Sequence, residues 1–278
     1  MHRTHIRANQ PWWTANWKEF VHYRDLLWFL VRRDFTTLYK QTILGPVWYV
    51  LQPVATTLVF TVVFGNIAGL STDGTPAFLF YMSGMVFWTF FQSCLTDISG
   101  TFISNTHIFG KVYFPRLIIP VSLVAKNSGQ LILNFLMFLG FYAYYQISGT
   151  PSIHPTQWIA WVPVLIFQTA LAGLGVGLWL AALTAKYRDL RFAMTFLTQL
   201  WMYATPIPWS ATRVSDNLHW ILVWNPMAGV VIFNRLAFLG TGTADMTILL
   251  SSLVSSIALA ISGILVFNKV QRTFIDTV

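Results

Sequence analysis

The side chains able to do chemistry are few in this chain, and their spacing serves none of the familiar reactions. A loop that cradles phosphate needs Gly-x4-Gly-Lys-Ser/Thr, because glycine backbone donors must come close to the anion. The nearest approach is Phe109-Gly110-Lys111-Val112. Asn105 stands where the first glycine belongs and Val112 where the hydroxyl belongs, so no ATP site of that kind is expected. There is no His-Glu-x-x-His, no Gly-x-Ser-x-Gly and no paired-carboxylate motif for sugar transfer. His107, His154 and His219 belong to separate segments, so no metal site is expected. The single Cys94 excludes an internal disulfide and a cysteine metal cluster. It reads as a small buried apolar residue.

Two charges approach the interior of long apolar runs, Asp97 and Lys126. Ion-coupled transport usually needs a carboxylate or histidine inside the bilayer. Asp97 lies near one end of its run and reads as an interfacial cap or an ion-pair partner rather than a relay. Lys126 can reach back to the headgroups along its own stem or pair with a neighbour. An ion-coupled transporter resting on Asp97 stays open as an alternative, whereas catalysis has no residues to rest on.

The elements that carry these groups belong to a membrane. Of 278 residues, 55% are hydrophobic and 9% charged, whereas a soluble domain carries about 25% charged residues. The net charge of +8 could point to nucleic acid, but the cations follow the loops instead of gathering into a groove. Arg3, Arg7, Lys18, Arg24, Arg32, Arg33 and Lys40 precede the first apolar run. The 65–76 stretch has none, the next connection has Lys111 and Arg116, and 146–157 has none. Lys186, Arg188 and Arg191 follow, then Arg213 and Arg235, then Lys269 and Arg272. Basic residues of short loops stay cytoplasmic. The alternation predicts an all-α protein with six spans and both termini inside.

A span needs about 20 apolar residues. The six are expected at 47–64, 78–98, 121–145, 158–183, 192–203 and 246–267, with Pro53 as a kink in the first. The fifth is short and runs into Ala204-Thr205-Pro206-Ile207-Pro208. Beyond it, two apolar pieces are broken by Asn225-Pro226, and neither is long enough to cross. They predict a re-entrant or interfacial hairpin on the outward side, because non-helical backbone at that depth survives only under protein or water. Gly173, Gly175 and Gly177 read as close helix packing.

A single domain, 1–278, is the simplest count: tail 1–19, interface helix 20–42, six-span region 47–267 and cytoplasmic end 268–278. The tail lacks the pattern of a cleaved signal peptide. In 20–42, Leu27, Leu30, Val31, Phe35 and Leu38 share one side at helical spacing. Asp25, Arg32, Arg33, Thr36 and Lys40 share the other, and Arg24 and Asp34 interrupt the apolar side. Such a helix suits the membrane interface, with its basic groups at the headgroups. Gly45-Pro46 is expected to end it.

A transporter without its own motor takes work from a partner, through stiff cytoplasmic contacts. Two connections qualify, 104–116 and 185–191. Ser104-Asn105 could cap a short helix in the first. Here the sequence resembles a known family. The run Tyr39-Lys40-Gln41-Thr42-Ile43-Leu44-Gly45-Pro46-Val47-Trp48, continued through Leu51-Gln52-Pro53 to Val62-Val63-Phe64-Gly65, resembles the start of permease subunits of ABC-2 type polysaccharide exporters. Phe114-Pro115-Arg116 with Pro120, Tyr187-Arg188-Asp189-Leu190, Thr205-Pro206-Ile207 and Asn225-Pro226-Met227 fit the same family in the same order.

The resemblance implies a homodimer in the cell inner membrane, with two separate ABC ATPase subunits below. Those partners would hold ATP and Mg, leaving this chain with no cofactor and no catalytic residue. The interface helix, with Arg32, Arg33, Asp34 and Lys40, and Asn105, His107 and Lys111 would face the ATPases. Tyr187, Arg188, Asp189 and Arg191 would form the second contact. The outward hairpin, with Pro206, Pro208, Asn225 and Pro226, would form the exit gate. The cargo would be a lipid-linked polysaccharide such as O-antigen, with capsule, teichoic acid or a small lipid or drug as alternatives. Aromatic residues make up 17% of the chain, and aromatic faces offer a sliding sugar polymer weak, repeated contacts that are easy to leave. Trp48, Tyr49, Trp88, Phe91, Trp201 and Tyr203 are candidates for that wall.

The second connection yields a direct test. Arg188→Ala or Asp189→Ala is expected to uncouple ATP hydrolysis from export while leaving membrane insertion intact. Transport assays on both variants check this, and wild-type export in both removes the role.

Overall fold

In lipid, each backbone N–H and C=O must find its partner within the protein, which makes a helix the cheapest way across. The computed structural model describes residues 17–40, 45, 47–105, 114–149, 153–187 and 189–274, and every regular element among them is helical. In chain order these are α1 (Trp17–His22), α2 (Arg24–Lys40), α3 (Val47–Phe60), α4 (Ala77–Ser99), α5 (Thr101–Ser104), α6 (Ile118–Ile147), α7 (Val162–Lys186), α8 (Leu190–Ala204), α9 (His219–Trp224), α10 (Ala228–Leu239) and α11 (Met246–Phe274). The end of α3 widens into a π-helical segment, Thr61–Ile67, and a 3₁₀ turn, Gln157–Trp161, leads into α7.

Four of these are long and apolar enough to cross a membrane: Val47–Ile67, Ala77–Ser99, Gln157–Lys186 and Met246–Gln271. α6 has 30 residues, about 45 Å at the helical rise, but Lys126, Asn127, Gln130 and Asn134 dilute its apolar character. α8 has 15 residues and reaches about 22 Å, short of the roughly 30 Å hydrocarbon core. Pro53 lies inside α3, and the helix continues through it.

α4 is the centre. In its apolar window 78% of residues are buried, against 17% for α3. It packs against α3, α6, α7 and α10, while α11 lies along α7. The glycines of α7 explain how closely three helices meet. A Cβ on Gly175 would come 2.5 Å from the Ala260 backbone nitrogen of α11, and one on Gly263 would come 2.5 Å from the Gly175 carbonyl oxygen. Gly173 and Gly177, a turn apart, face the other way, with Cys94 and Ile98 of α4 at 2.9 and 2.8 Å from a Cβ. Small residues let backbones touch where no water drives helices together. Two side-chain contacts close the end of the bundle where α4 stops and α7 ends. Thr184 Oγ1 donates to the Ser99 carbonyl at 2.7 Å, and the Phe102 ring stacks on Phe267 at 4.7 Å.

The amphipathic segment differs from one continuous helix over 20–42. It turns at Tyr23 between α1 and α2, and α2 runs to Lys40; 41–44 and 46 lie outside the described residues. Its apolar side is as expected, with Leu30 and Val31 buried, Leu27 and Phe35 half-buried, and Arg32, Arg33 and Thr36 exposed. α2 packs on α6. The Phe35 ring lies so close to Gly129 that a Cβ there would be 2.3 Å from it. Trp28 and Phe29 remain exposed, as suits rings at a headgroup layer.

Gly175→Val is expected to lower the thermal midpoint of the detergent-solubilised protein, because overpacking costs about 1–3 kcal/mol or more where backbone is the neighbour. Gly140→Ala is the control, since nothing lies within 4 Å of a Cβ there. Fluorescence-detected size exclusion after heating compares the two.

Candidate outward gate and cytoplasmic connections

α8 cannot continue past Ala204. Pro206 and Pro208 lack amide donors and bias the residues before them away from helical geometry, and Thr205 is extended with ψ 144°. The chain then folds back over buried ground: Thr205, Pro206, Ile207, Pro208 and Ser210 are all buried. Their carbonyls need donors that water does not supply there.

Arg235 supplies them. It lies on α10, every residue of which is buried. Its Nη1 donates to the Pro206 carbonyl at 2.5 Å and to Trp209 at 3.4 Å, and its Nη2 donates to Ile207 at 2.8 Å. Nε donates to the Phe80 carbonyl on α4 at 3.3 Å. The guanidinium carbon lies 3.5 Å from the centre of the Phe80 ring, a favourable cation–π geometry. Next to it, Asn234 Nδ2 donates to the Ser83 carbonyl at 2.9 Å. One dipeptide therefore fastens α10 to α4 and to the broken end of α8.

Asn225 makes the companion joint. Its Nδ2 donates to Thr205 Oγ1 at 2.9 Å, and its Oδ1 accepts from Trp201 Nε1 at 3.3 Å and from the Met227 amide at 3.0 Å. Pro226 follows, and Gln168 Nε2 holds its carbonyl at 3.1 Å while donating to Ser252 Oγ at 2.9 Å. Outside these, Asp73 accepts from Ser210 Oγ and from Thr212 Oγ1, the latter at 3.0 Å. A cavity of about 10 Å³ lies between Asp73 and Arg235, room for a single water.

By the charge pattern alone, Arg213 and Arg235 are exceptions to the alternation that flank the broken hairpin. Arg213 is exposed, but Arg235 is 4% exposed. Its charge therefore does not belong to a loop. Asn234, Gln168 and Asp73 were not singled out at all. The signal for Arg235 was there, a lone cation in the apolar 228–238 stretch.

The aromatic candidates divide. Trp48 and Tyr203 are exposed, and Tyr49 and Trp201 are half-buried. Trp88 and Phe91 are the correction: at 1% and 0% exposure they lie inside the protomer. Their ring centres are 5.3 Å apart, with Trp201 edge-on to Phe91. They present no surface to a passing polymer in this arrangement, because α4 is surrounded by other helices. Exposed apolar faces lie on α3, through Trp48, Leu51, Leu58 and Val59, on α8, through Phe192, Phe196, Leu197, Leu200 and Tyr203, and also on α11, through Leu250, Val254, Ile257 and Ile261, and on α6, through Ile132 and Leu136.

At the opposite end of the bundle, Asn105 caps the C-terminal end of α5, its Nδ2 donating to the Thr101 carbonyl at 2.9 Å. The expected helix start after Ser104-Asn105 falls in 106–113, with His107 and Lys111, outside the described residues. Arg116 Nη1 donates to the Gln271 carbonyl on α11 at 2.5 Å, and burial pulls its guanidinium below the usual value without removing the charge near neutral pH. In the second connection Lys186 Nζ lies 5.1 Å from the Tyr187 ring centre. Tyr187, Asp189 and Arg191 are exposed, and Arg188 lies outside the described residues. On α2, Arg33 pairs with Asp34 at 2.8 Å, Arg32 is exposed, and the Lys40 side chain is outside the described set.

A family model described as ABC-2 type transporter matches residues 25–238. The chain is 26% identical over 252 residues to the O-antigen export system permease protein RfbA of Klebsiella pneumoniae, covering 91% of this chain and 94% of that protein. It is 25% identical over 264 residues to the protein of the same name from Myxococcus xanthus, covering 94% of this chain and 98% of that protein.

Arg235→Met is expected to destabilise the protein by about 2–5 kcal/mol, since it leaves several buried carbonyls without donors. Arg235→Lys, which keeps a charge but not the planar fork, should fall between. Trp88→Ala should cost about 3–5 kcal/mol as a buried aromatic truncation, and Trp48→Ala little. Thermal unfolding in detergent ranks the four; a neutral Arg235→Met refutes the joint.

Proposed function

The chain belongs to the ABC-2 type transporter family, and from that premise we propose that it is the permease subunit of an ATP-driven exporter of lipid-linked polysaccharide, with O-antigen as cargo. The observation that carries this reading is the likeness to O-antigen export permeases along 91% or more of the chain. In it, α3, α4, α6, α7, α8 and α11 are the six crossings of the inner membrane, and the proline segment after α8 makes up its short length. α9 and α10 form the outward re-entrant hairpin. The basic connections and both termini face the cytoplasm, by the loop-charge rule.

Two copies associate, and the exposed faces of α3 and α8 meet the second copy and the passing polymer. Trp48, Tyr49, Trp201 and Tyr203 supply aromatic contacts along that path. The joint of Pro206, Pro208, Asn225 and Arg235 closes its outward end. Two partner ATPases, carrying ATP and Mg, dock on α2 and on the 104–116 and 185–191 connections, and their closure moves the permeases. Capsule, teichoic acid, or a small lipid or drug would fit the same path. Ion coupling gains no support, because Asp97 is already paired with Lys126 at 2.5 Å.

The purified chain alone is expected to hydrolyse no ATP and to co-purify with an ATPase subunit. Deleting it should abolish surface polysaccharide and trap polymer inside the cell. Trp48→Ala and Tyr203→Ala should each slow export about threefold or more, the scale of one aromatic contact, with unchanged stability. ATP hydrolysis by the chain alone, or normal surface polymer after deletion, overturns the reading; efflux of a small lipid or drug instead reassigns the cargo.

A further inference from the structure

The cytoplasmic halves of α4 and α6 hold a charged cluster that the export path does not use. Lys126 Nζ donates to Asp97 Oδ2 at 2.5 Å, and Asn127 Nδ2 donates to the same oxygen at 3.0 Å. Asn127 also reaches Cys94 Sγ at 3.9 Å. One turn further into the membrane, Ser93 Oγ donates to Gln130 Oε1 at 3.2 Å. The Lys126 side chain is 12% exposed, so its charge is held by the protein and not extended to the headgroups.

Charge in this setting is costly unless paired. The same molecule joins α7 to α11 with glycines and neutral hydrogen bonds, Gln168 to Ser252 and Trp179 to Ser262, so helix packing as such does not require ions. What an ion pair adds is a fixed register: it holds one position, and its attraction falls as the partners part. Apolar surfaces have no such preference and can slide.

The location shows which register is held. α4 ends at Ser99, just past Asp97, and α6 begins at Ile118, before Lys126. The first cytoplasmic connection runs between those two ends. Its far end is fastened to α11 by Arg116. A turn beyond Lys126, Gly129 receives the Phe35 ring of α2. Interface helix, connection, α4 and α6 therefore converge around one ion pair.

We propose that Asp97 and Lys126 are a positioning pair for energy coupling. They clasp α4 to α6 so that force on the connection, or on α2, moves both helices as one body. Neither residue touches cargo or nucleotide. This role rests on the export reading above.

The test uses the complete complex with its ATPase, in cells deleted for the chromosomal copy and as purified protein in lipid nanodiscs. Asp97→Asn and Lys126→Met are expected to keep ATPase co-purification and hydrolysis within about twofold of wild type. Surface polymer per ATP hydrolysed should fall about tenfold, below the scale of stranding one member of a fully buried pair because Asp97 is partly exposed. Lys126→Arg, and the exchanged pair D97K/K126D, should recover most of that ratio. An unchanged ratio in both single variants overturns the proposal. So does loss in Asp97→Asn with normal export in Lys126→Met, which makes the carboxylate act alone. If the single variants lose insertion and hydrolysis together, with no recovery by Lys126→Arg, the pair is only a folding element. Failure of the wild-type complex to export with ATP sinks the export reading itself, and the coupling role with it.

Discussion

A backbone that stops being helical inside a membrane must find hydrogen-bond donors from the protein, because none come from lipid. The architecture around the end of α8 follows from how this chain meets that demand. Two prolines end α8, and the carbonyls of Pro206, Ile207 and Trp209 turn inward to Arg235. An arginine is the side chain suited to this, with five donors in a rigid fork and a charge that stays on when buried. Its cost is offset by four carbonyl contacts and the Phe80 ring. Because the fork also reaches α4, the break, α10 and the central helix become one unit.

That unit depends in turn on α4 being surrounded. Glycines on alternate sides of α7 bring α4 and α11 to backbone contact, and α6 closes another side. A helix so enclosed has no face left for cargo, which is why Trp88 and Phe91 became core. α3 and α8 are the opposite case. They carry apolar side chains outward with little cover from the rest of the chain.

Much of the helical framework was legible because membrane helices obey strong one-dimensional rules. Apolar length set α3, α4, α7 and α11, and the glycine pattern of α7 did mark close packing. The face of α2 could be read from its period. Other features were hidden for a physical reason. Trp48 and Trp88 are the same residue type in equally apolar surroundings, and nothing local separates a lipid-facing ring from an enclosed one. Asp97 and Lys126 were each recognisable as misplaced charges, but their sequence separation concealed that each answers the other. Asn105 closes the end of α5 by donating to the Thr101 carbonyl, a role its sequence position does not announce, since the same side chain can accept at one helix end or donate at the other.

The sequence by itself determined that this chain lives in a membrane, which of its segments are helical, that α8 breaks at its prolines, and which family it belongs to. Those follow from hydropathy, proline chemistry and extended runs of similar residues, all of which are local. Tertiary structure alone decided that Arg235 is a buried hydrogen-bond hub and not a loop charge, that Asp97 has a lysine, and that all the aromatics of α4 but Phe78 are walled in. Those depend on which helix lies beside which. In a chain this uniformly apolar, neighbours are chosen by glycine notches and a few polar contacts between residues far apart in sequence.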